Sequence, residues 1–248
     1  ARQRRLVQPA FQPKRMEQYG EGIVRHTLEL FQPLAGSDVN VADVLHRLTF
    51  RTVAEALFGA EVDEIADDFL AAVATLQSES IADFTSAWVR PLWWPTKSRA
   101  RLRGAMKFLD EVVRGFITRR RSSGEDRGDL LSMLLHAVDE EGDKTKMTDE
   151  QVRDEAVGLL LGGNETTATA LVWTMYLLAK HESFQEEAQG EIDHITAGNV
   201  PTAPDASKLH LTAATMKEAM RLYPPAYVLT RDSVEEVEIG GFTVPRGS

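Results

Sequence analysis

The sequence predicts a mainly α-helical fold with a small β element near the end of the chain. Apolar residues recur at helical spacing through most of its 248 residues. The longest periodic stretch follows a capping box at Thr148 and extends to Lys180, roughly 50 Å at 1.5 Å per residue. The pattern typical of strands begins only after Leu222.

The composition is that of a folded protein and argues against several classes of partner. Hydrophobic residues make up 43% of the chain, which is enough for a large core. The net charge of −10 argues against nucleic acid as the main partner. No apolar run is long enough to cross a bilayer, so we expect no membrane span. The absence of cysteine excludes disulfides and favours a reducing compartment, so we predict a cytoplasmic protein.

Three helices are predicted in the first third of the chain. Pro13–Phe31 carries apolar residues between charges, as a surface helix does, and Pro33 closes it. Val41–Phe58 has one apolar face and ends at Gly59, a typical C-terminal cap. Asp63–Gln77 is again amphipathic.

The middle of the chain predicts two further helices before the longest one. A tryptophan-rich segment, VRPLWWPTKS, breaks the helical pattern, and a long basic helix follows over Ser98–Arg121. A short helix is predicted over Leu130–Val138. The charged sequence DEEGDKTKM then indicates a solvated loop.

After the longest helix the pattern changes from helix to strand. A polar helix is predicted over Glu182–Ile195, and a proline-containing loop follows it. The last helix covers Leu211–Leu222 and is stopped by two prolines. EEVEIGGFTVP predicts two strands joined by a hairpin turn at Gly240–Gly241.

The centre of the longest helix, LLLGGNETTATALVW, contains residues that a space-filling helix would avoid. Each of Gly162 and Gly163 costs about 1 kcal/mol relative to alanine, and an unpaired Glu165 would carry a desolvation cost. The glycines allow a flat or bulky group to approach the backbone. Thr166 can donate its hydroxyl hydrogen to a carbonyl one turn back. A glycine helix crossing with a threonine-rich polar seam would explain the same residues.

A second polar pair lies on the last predicted helix. Glu218 and Arg221 are three residues apart and therefore neighbours on one helix face. Such pairs are common and individually weak. Their order is more informative, because the polar-centred helix comes first, then Glu-x-x-Arg followed by Tyr-Pro-Pro, then Arg231 and the glycine hairpin.

In this order the motifs resemble those of the cytochrome P-450 family of haem-thiolate monooxygenases. GGNETT is similar to the family's signature in its long central I helix, and KEAMR to the Glu-x-x-Arg signature of its K helix. IGGFTVPRGS resembles the start of the small sheet before the haem-binding region, and RQRRLVQPAF resembles the C helix. The resemblance therefore implies that residues 1–248 form a single partial P-450 domain, from the helix C region onward and truncated at both ends.

The resemblance implies roles for the residues at the centre of the long helix. Thr166 would hydrogen-bond dioxygen at the haem and steady its protonation, and Glu165 would bring protons from solvent. Gly162 and Gly163 would let the helix kink over the haem face and open a groove for oxygen.

Residues elsewhere in the chain receive binding or structural roles by the same resemblance. Glu218 and Arg221 would be structural, and Arg231 and Arg4 would pair with haem propionates. Two residues after the double proline would face the substrate, namely Ala226 and Val228.

The sequence departs from the family pattern in having no cysteine, although the family's axial haem ligand is a cysteine thiolate. Its six histidines lie at polar helix positions without metal-ligand spacing, so no metal ligand is predicted within the chain. They are His26, His46, His136, His181, His194 and His210. Either the chain is an internal fragment whose cysteine lies after Ser248, or it is a relative that no longer binds haem.

The resemblance implies an enzyme that hydroxylates an apolar substrate, such as a fatty acid or terpenoid, with dioxygen. The cofactor would be haem b, and the electrons would come from a ferredoxin-type, flavodoxin-type or fused reductase partner. The alternative is a haem-free helical domain that keeps the scaffold and binds a ligand or a partner.

Overall fold

The computed structural model describes residues 2–8, 13–59, 62–86, 90–138 and 145–248, with side chains from residue 5 to 8 and from residue 19 onward. Within those residues the chain forms nine α-helices and one two-stranded sheet, as the sequence predicts. The elements are α1 (Arg2–Val7), α2 (Pro13–Phe31), α3 (Val41–Phe58), α4 (Asp63–Phe84), α5 (Lys97–Ser123), α6 (Leu130–His136), α7 (Asp149–Lys180), α8 (Glu182–Thr196), α9 (His210–Leu222), β1 (Val237–Ile239) and β2 (Phe242–Val244).

Two elements differ from the sequence predictions. Helix α4 continues to Phe84 instead of ending at Gln77, because α5 supplies partners for its polar side chains. Glu79 is buried and accepts a hydrogen bond from Ser98 at the start of α5. The predicted proline loop contains a 3₁₀ helix, Ala203–Lys208, whose first turn has a reciprocal capping box.

The long helix α7 lies at the centre of the fold and is a regular α-helix over its full length. The predicted capping box is present at its start, with reciprocal hydrogen bonds between Thr148 and Gln151. Helix α3 packs most extensively against it, and α5, α6, α8 and α9 also contact it. The core beside this crossing includes two stacked ring pairs, Phe50 with Phe69 and Phe58 with Phe116.

A buried ionic cluster joins the ends of α3 and α5 to the start of α6. The guanidinium of Arg120 bonds both carboxylate oxygens of Asp129, each at 2.6 Å, and donates to the carbonyl of Phe58 at 3.0 Å. It also donates to the hydroxyl of Ser132. Asp129 is itself the N-cap of α6, since it accepts from the Ser132 amide at 2.8 Å. Arg120 and Asp129 are only 7% and 6% exposed.

The charge state of Asp129 is set by this cluster. Burial alone would raise the pKa of Asp129, but Arg120 and the two Ser132 donors outweigh burial and leave the pKa below its usual value. Because the folded pKa is lower than the unfolded one, the pair stabilises the fold above the pKa of an unfolded aspartate. This stabilisation is lost as the pH falls through the folded pKa.

The last helix is joined to α7 by aromatic stacking. The rings of Trp173 and Tyr223 lie 4.1 Å apart and are nearly parallel. Beyond them, β1 and β2 form the predicted antiparallel hairpin, with Val237 opposite Val244. Gly240 and Gly241 both have positive φ, which matches a hairpin turn that glycine adopts readily.

One histidine lies in an environment that its sequence neighbours do not indicate. His26 is expected at a polar helix position, yet it is 4% exposed. Its Nε2 lies 2.5 Å from Glu55 Oε2, and Arg25 bonds the same carboxylate. The Glu55 carboxylate on α3 therefore offsets the desolvation cost of burying His26 on α2.

No helix in the described part of the chain combines the length and the apolar character that a membrane span requires.

Candidate functional site

The motif at the centre of α7 places the Thr166 hydroxyl and Gly162 on an accessible part of the helix. Thr166 donates its hydroxyl hydrogen to the carbonyl of Gly162 at 2.6 Å. The helix is unbroken α-helix at this point, without a π or 3₁₀ segment. The hydroxyl bond is therefore accommodated without interrupting the helical ladder.

One face of α7 is open along this region. Gly158, Gly162 and Thr166 follow one another at intervals of four residues, and all three are exposed. A Cβ atom added to Gly158 or Gly162 would meet no described atom within 4 Å. The open face thus has no side chain at two exposed positions one turn apart, and it carries the Thr166 hydroxyl one turn further along.

Gly163 lies about 100° further around the helix than Gly162, on the side that faces α3, and has a packing role. A Cβ atom at this position would lie 2.8 Å from Val53 Cγ2 on α3, which is too close. Since valine side chains are stiff at χ1, the two helices would have to separate. The adjacent glycines therefore differ: Gly163 allows the α3–α7 crossing, and Gly162 leaves the open face clear.

Alanine substitutions at the two glycines should separate these roles. We expect Gly163→Ala to lower the free energy of unfolding of the full-length protein by about 1–3 kcal/mol through overpacking. The matched control, Gly162→Ala, should not be destabilised, because its methyl group meets open space and alanine gains about 1 kcal/mol in helix propensity. Denaturant unfolding followed by circular dichroism measures both. Equal losses in the two variants would contradict the assignment.

Glu165 lies beside the open face but points toward α3. Its Oε2 is 3.6 Å from Nδ1 of His46, and both side chains are about one-third exposed (34% and 28%). The carboxylate therefore has access to solvent and to an imidazole, and its neighbour in sequence is the Thr166 hydroxyl. This arrangement brings two proton-exchanging groups and a hydroxyl close to one point on α7.

The structure adds a buried polar contact that the sequence does not indicate. Asn164, the residue between the glycines and Glu165, is fully buried. Its Oδ1 accepts a hydrogen bond from the hydroxyl of Thr49 on α3 at 2.6 Å. The two residues are 115 positions apart, so spacing carries no signal of the contact.

The second predicted pair, Glu218 and Arg221, forms a bidentate ion pair on α9. The two hydrogen bonds measure 2.7 and 2.8 Å. The pair lowers the pKa of Glu218 and raises that of Arg221. The side chains are 54% and 67% exposed, so within this chain the pair is on the surface.

The remaining predicted residues are accessible or lie outside the described atoms. Arg231 is exposed and donates to the carbonyl of Thr230 at 2.7 Å. Ala226 and Val228 are also exposed. The backbone of Arg4 lies in α1, but its side chain lies outside the described residues.

The described residues hold no group of three or more His, Cys, Asp or Glu side chains arranged to bind a metal ion. A family model for cytochrome P450 matches residues 1–248, which is the entire chain. The chain belongs to the cytochrome P450 family.

Curated P450 relatives match nearly the whole chain. It is 35% identical over 253 residues to cyclooctat-9-en-7-ol 5-monooxygenase of Streptomyces melanosporofaciens, covering 99% of the chain and 54% of that protein. It is 32% identical to pentalenene oxygenase of Streptomyces avermitilis, covering 100% of the chain and 55% of that protein. The chain thus spans about half the length of the curated relatives it matches.

Solved P450 structures confirm the fold. The crystal structure of a mutant cytochrome P450DA heme domain superposes with a TM-score of 0.85 at 27% identity. The match covers 98% of this chain and 55% of that chain. The mainly helical P450 fold with a long central helix, as the sequence predicts, is therefore confirmed.

Family membership implies haem iron with a cysteine ligand, and the chain contains no cysteine. The open face of α7 nevertheless suits a flat cofactor. Its two exposed glycines, one turn apart, carry no Cβ, and Thr166 provides a hydroxyl at the same face. On this observation, the residues of α7 fit a haem.

Proposed function

We propose that the full-length protein is a P450 monooxygenase that hydroxylates an apolar, terpenoid-like substrate with dioxygen. In this proposal, residues 1–248 are part of one P450 domain, and the cysteine ligand is provided by a part of the protein outside this chain. The observation that supports it most is the open glycine face of α7 beside Thr166 and Glu165. The substrate class follows the names of the two Streptomyces relatives, which specify cyclooctat-9-en-7-ol and pentalenene.

Several residues of this chain would hold the cofactor. Gly162 and Gly158 would lie against it, because they leave the backbone of α7 accessible. Arg231, which is exposed, would pair with a propionate, and we assign Arg4 the same role. Haem supplies the iron at which dioxygen is reduced, with electrons from a ferredoxin-type, flavodoxin-type or fused reductase. Ala226 and Val228 would contact the substrate.

Thr166 and Glu165 of this chain would deliver protons to the site of dioxygen reduction. The Thr166 hydroxyl now donates to the Gly162 carbonyl, and it can turn away at small cost. That carbonyl keeps its partner, since the Thr166 amide bonds it in the helical ladder. Glu165 is next in the chain and accessible to solvent, so it can take up a proton and return it toward the hydroxyl.

The alternative is a haem-free helical domain that binds a ligand or a partner. The family match over all 248 residues and the clear face on α7 favour the enzyme. A carbon monoxide difference spectrum of the reduced full-length protein distinguishes the two. The enzyme should give the spectrum of a haem-thiolate complex, and the haem-free scaffold should give none.

Removing the Thr166 hydroxyl tests its proposed role. In the full-length protein, we expect Thr166→Ala to keep consuming reductant while less of it appears as product and more as hydrogen peroxide. The reason is that α7 would lose the hydroxyl on its open face. Product, peroxide and reductant should be measured in the same reaction, so that coupling is obtained directly.

Two matched variants control this experiment. Thr166→Ser retains the hydroxyl and should retain most of the coupling. Thr174 makes the same kind of bond, to the carbonyl of Ala170 at 2.7 Å, but is buried two turns further along α7. Thr174→Ala should therefore leave coupling unchanged. Normal coupling in Thr166→Ala would show that its hydroxyl has no part in proton delivery.

A further inference from the structure

A cavity of about 610 Å³ lies on the side of α7 next to the open face. It is formed where the end of α2, the start of α3, the middle of α4 and the centre of α7 meet. Leu30 and Leu34 line one wall with hydrocarbon. The polar and charged side chains come from the other three helices and are Asp43, His46, Arg47, Asp67, Gln77, Asn164 and Glu165.

The rim of the cavity is charged and accessible. Arg47 on α3 pairs with Asp67 on α4, and the Asp67 side chain is 81% exposed. Asp43 is also exposed. The cavity is therefore in contact with bulk water at this side, while its inner end reaches Asn164 on α7.

The inner end contains an unsatisfied amide. Asn164 is 0% exposed, and its Nδ2 atom has no hydrogen-bond partner among the described residues. Its Oδ1 is already bonded to Thr49. A buried donor without a partner is costly, and a cavity of this size, lined in part by polar side chains, has space for water. Since Asn164 is fully buried, a small shift of its side chain would let a cavity water bond Nδ2 and remove that cost.

His46 and Glu165 are adjacent to this amide. The 3.6 Å between His46 Nδ1 and Glu165 Oε2 is longer than a direct hydrogen bond. A water molecule beside the pair can bond both groups. We propose that His46 is the relay residue that passes protons from the water in this cavity to the Glu165 carboxylate.

The proposed step moves protons only and changes no oxidation state. His46 takes up a proton from water at Nε2 and releases the proton on Nδ1 to the bridging water. That water passes a proton to Glu165 Oε2, so the ring has the same charge afterwards, with its proton moved from Nδ1 to Nε2. Exchange of the ring protons with water restores the starting tautomer before the next transfer. Histidine suits this step, because its imidazole has two nitrogen atoms, one of which can accept a proton while the other donates one. The inference rests on the proposed function, in which Glu165 passes protons to the Thr166 hydroxyl.

His46→Gln in the full-length protein tests the relay. Glutamine can hydrogen-bond to the same water but cannot carry a proton between two ring nitrogens. We expect the rate of product formation to fall about tenfold, less than a direct acid or base contributes. The solvent deuterium isotope effect on that rate should increase, because proton delivery becomes slower. The KM for the substrate should not change.

The control is a histidine that lies away from the cavity. His194 is exposed on α8, and His194→Gln should leave the rate and the isotope effect unchanged. A His46→Gln protein with normal rate and isotope effect would overturn the relay. So would equal losses in the two variants, since they would not be specific to the cavity.

A second pair of variants tests the cavity without altering any polar group. Ala74 on α4 lines the cavity, and Ala74→Phe would fill part of it with hydrocarbon. Ala71 is exposed on the same helix and does not line it, so Ala71→Phe is the matched control. We expect the loss of rate only in Ala74→Phe. An unchanged rate in this variant would contradict a water route through the cavity.

Crystallography of the full-length protein provides a readout besides activity. The proposal requires an ordered water within hydrogen-bond distance of both His46 and Glu165, and another at the Asn164 amide. A dry inner end would overturn it. The outcome for Thr166→Ala separates the relay from the proposed function. If that variant uncouples while His46→Gln keeps a normal rate and isotope effect, the role of Thr166 stands and the relay is wrong. If Thr166→Ala stays coupled and His46→Gln is also unchanged, both proposed roles in proton delivery are wrong.

Discussion

Replacing Arg120 by alanine should lower the free energy of unfolding of the full-length protein by about 3–5 kcal/mol, the cost of breaking a buried ion pair from one side. The guanidinium makes four contacts that join α3, α5 and α6. Its loss would leave the carboxylate of Asp129 with only the Ser132 donors in a site that is 6% exposed. The carbonyl of Phe58 would also lose this donor. Denaturant unfolding measures the effect.

The neighbouring residue provides the control. Arg121 also bonds an aspartate, Asp149, at 2.8 Å, but their side chains are 44% and 51% exposed. An exposed pair contributes about 1 kcal/mol at most, so Arg121→Ala should have little effect. If the two variants lost similar amounts, burial would not be what makes the Arg120 cluster important.

Arg221→Ala should abolish haem incorporation in the full-length protein. Within this chain the pair with Glu218 is exposed, and such a pair by itself is worth little. The surrounding surface, however, is unusually apolar. Met220, Leu222 and Tyr227 are all exposed on or just after α9. Surfaces of this kind are normally covered by other protein. We propose that the rest of the P450 covers the pair and makes it structural.

Haem content per polypeptide, measured from the absorbance of the purified protein, tests this role. Arg114→Ala is the matched control, because Arg114 bonds Asp110 at 2.9 Å in an exposed pair on α5. It should incorporate haem normally. A normal haem content in Arg221→Ala would show that the pair has no structural role in the haem site.

The helices could be predicted from the sequence because their apolar spacing and caps are local signals. The capping box at Thr148 and the glycine turn at Gly240–Gly241 are both present in the structure. The end of α4 could not be predicted, because Glu79 is stabilised by a residue on another helix. For the same reason His26 is buried although its neighbours in sequence are polar. Long-range partners decide such positions.

The candidate site could be predicted only in part. Gly162, Gly163, Glu165 and Thr166 belong to one contiguous motif, so the sequence indicated them together. The motif did not show that the two glycines lie on different sides of α7, since that depends on the position of Val53. His46 has no sequence signal at all, because its proximity to Glu165 arises from the crossing of α3 and α7.

The close approach of Val53 to Gly163 also fixes how far α7 can shift lengthwise. A displacement of α7 by one turn, about 5.4 Å, would bring Leu160 or Thr167, the next residues on the same face of the helix, toward the valine methyl in place of Gly163. Axial sliding of α7 by a turn against α3 is therefore opposed sterically. His46 and Val53 are both on α3, so the same contact also sets the longitudinal alignment of His46 with Glu165. Any motion that keeps the contact between His46 and Glu165 must leave these two helices in register.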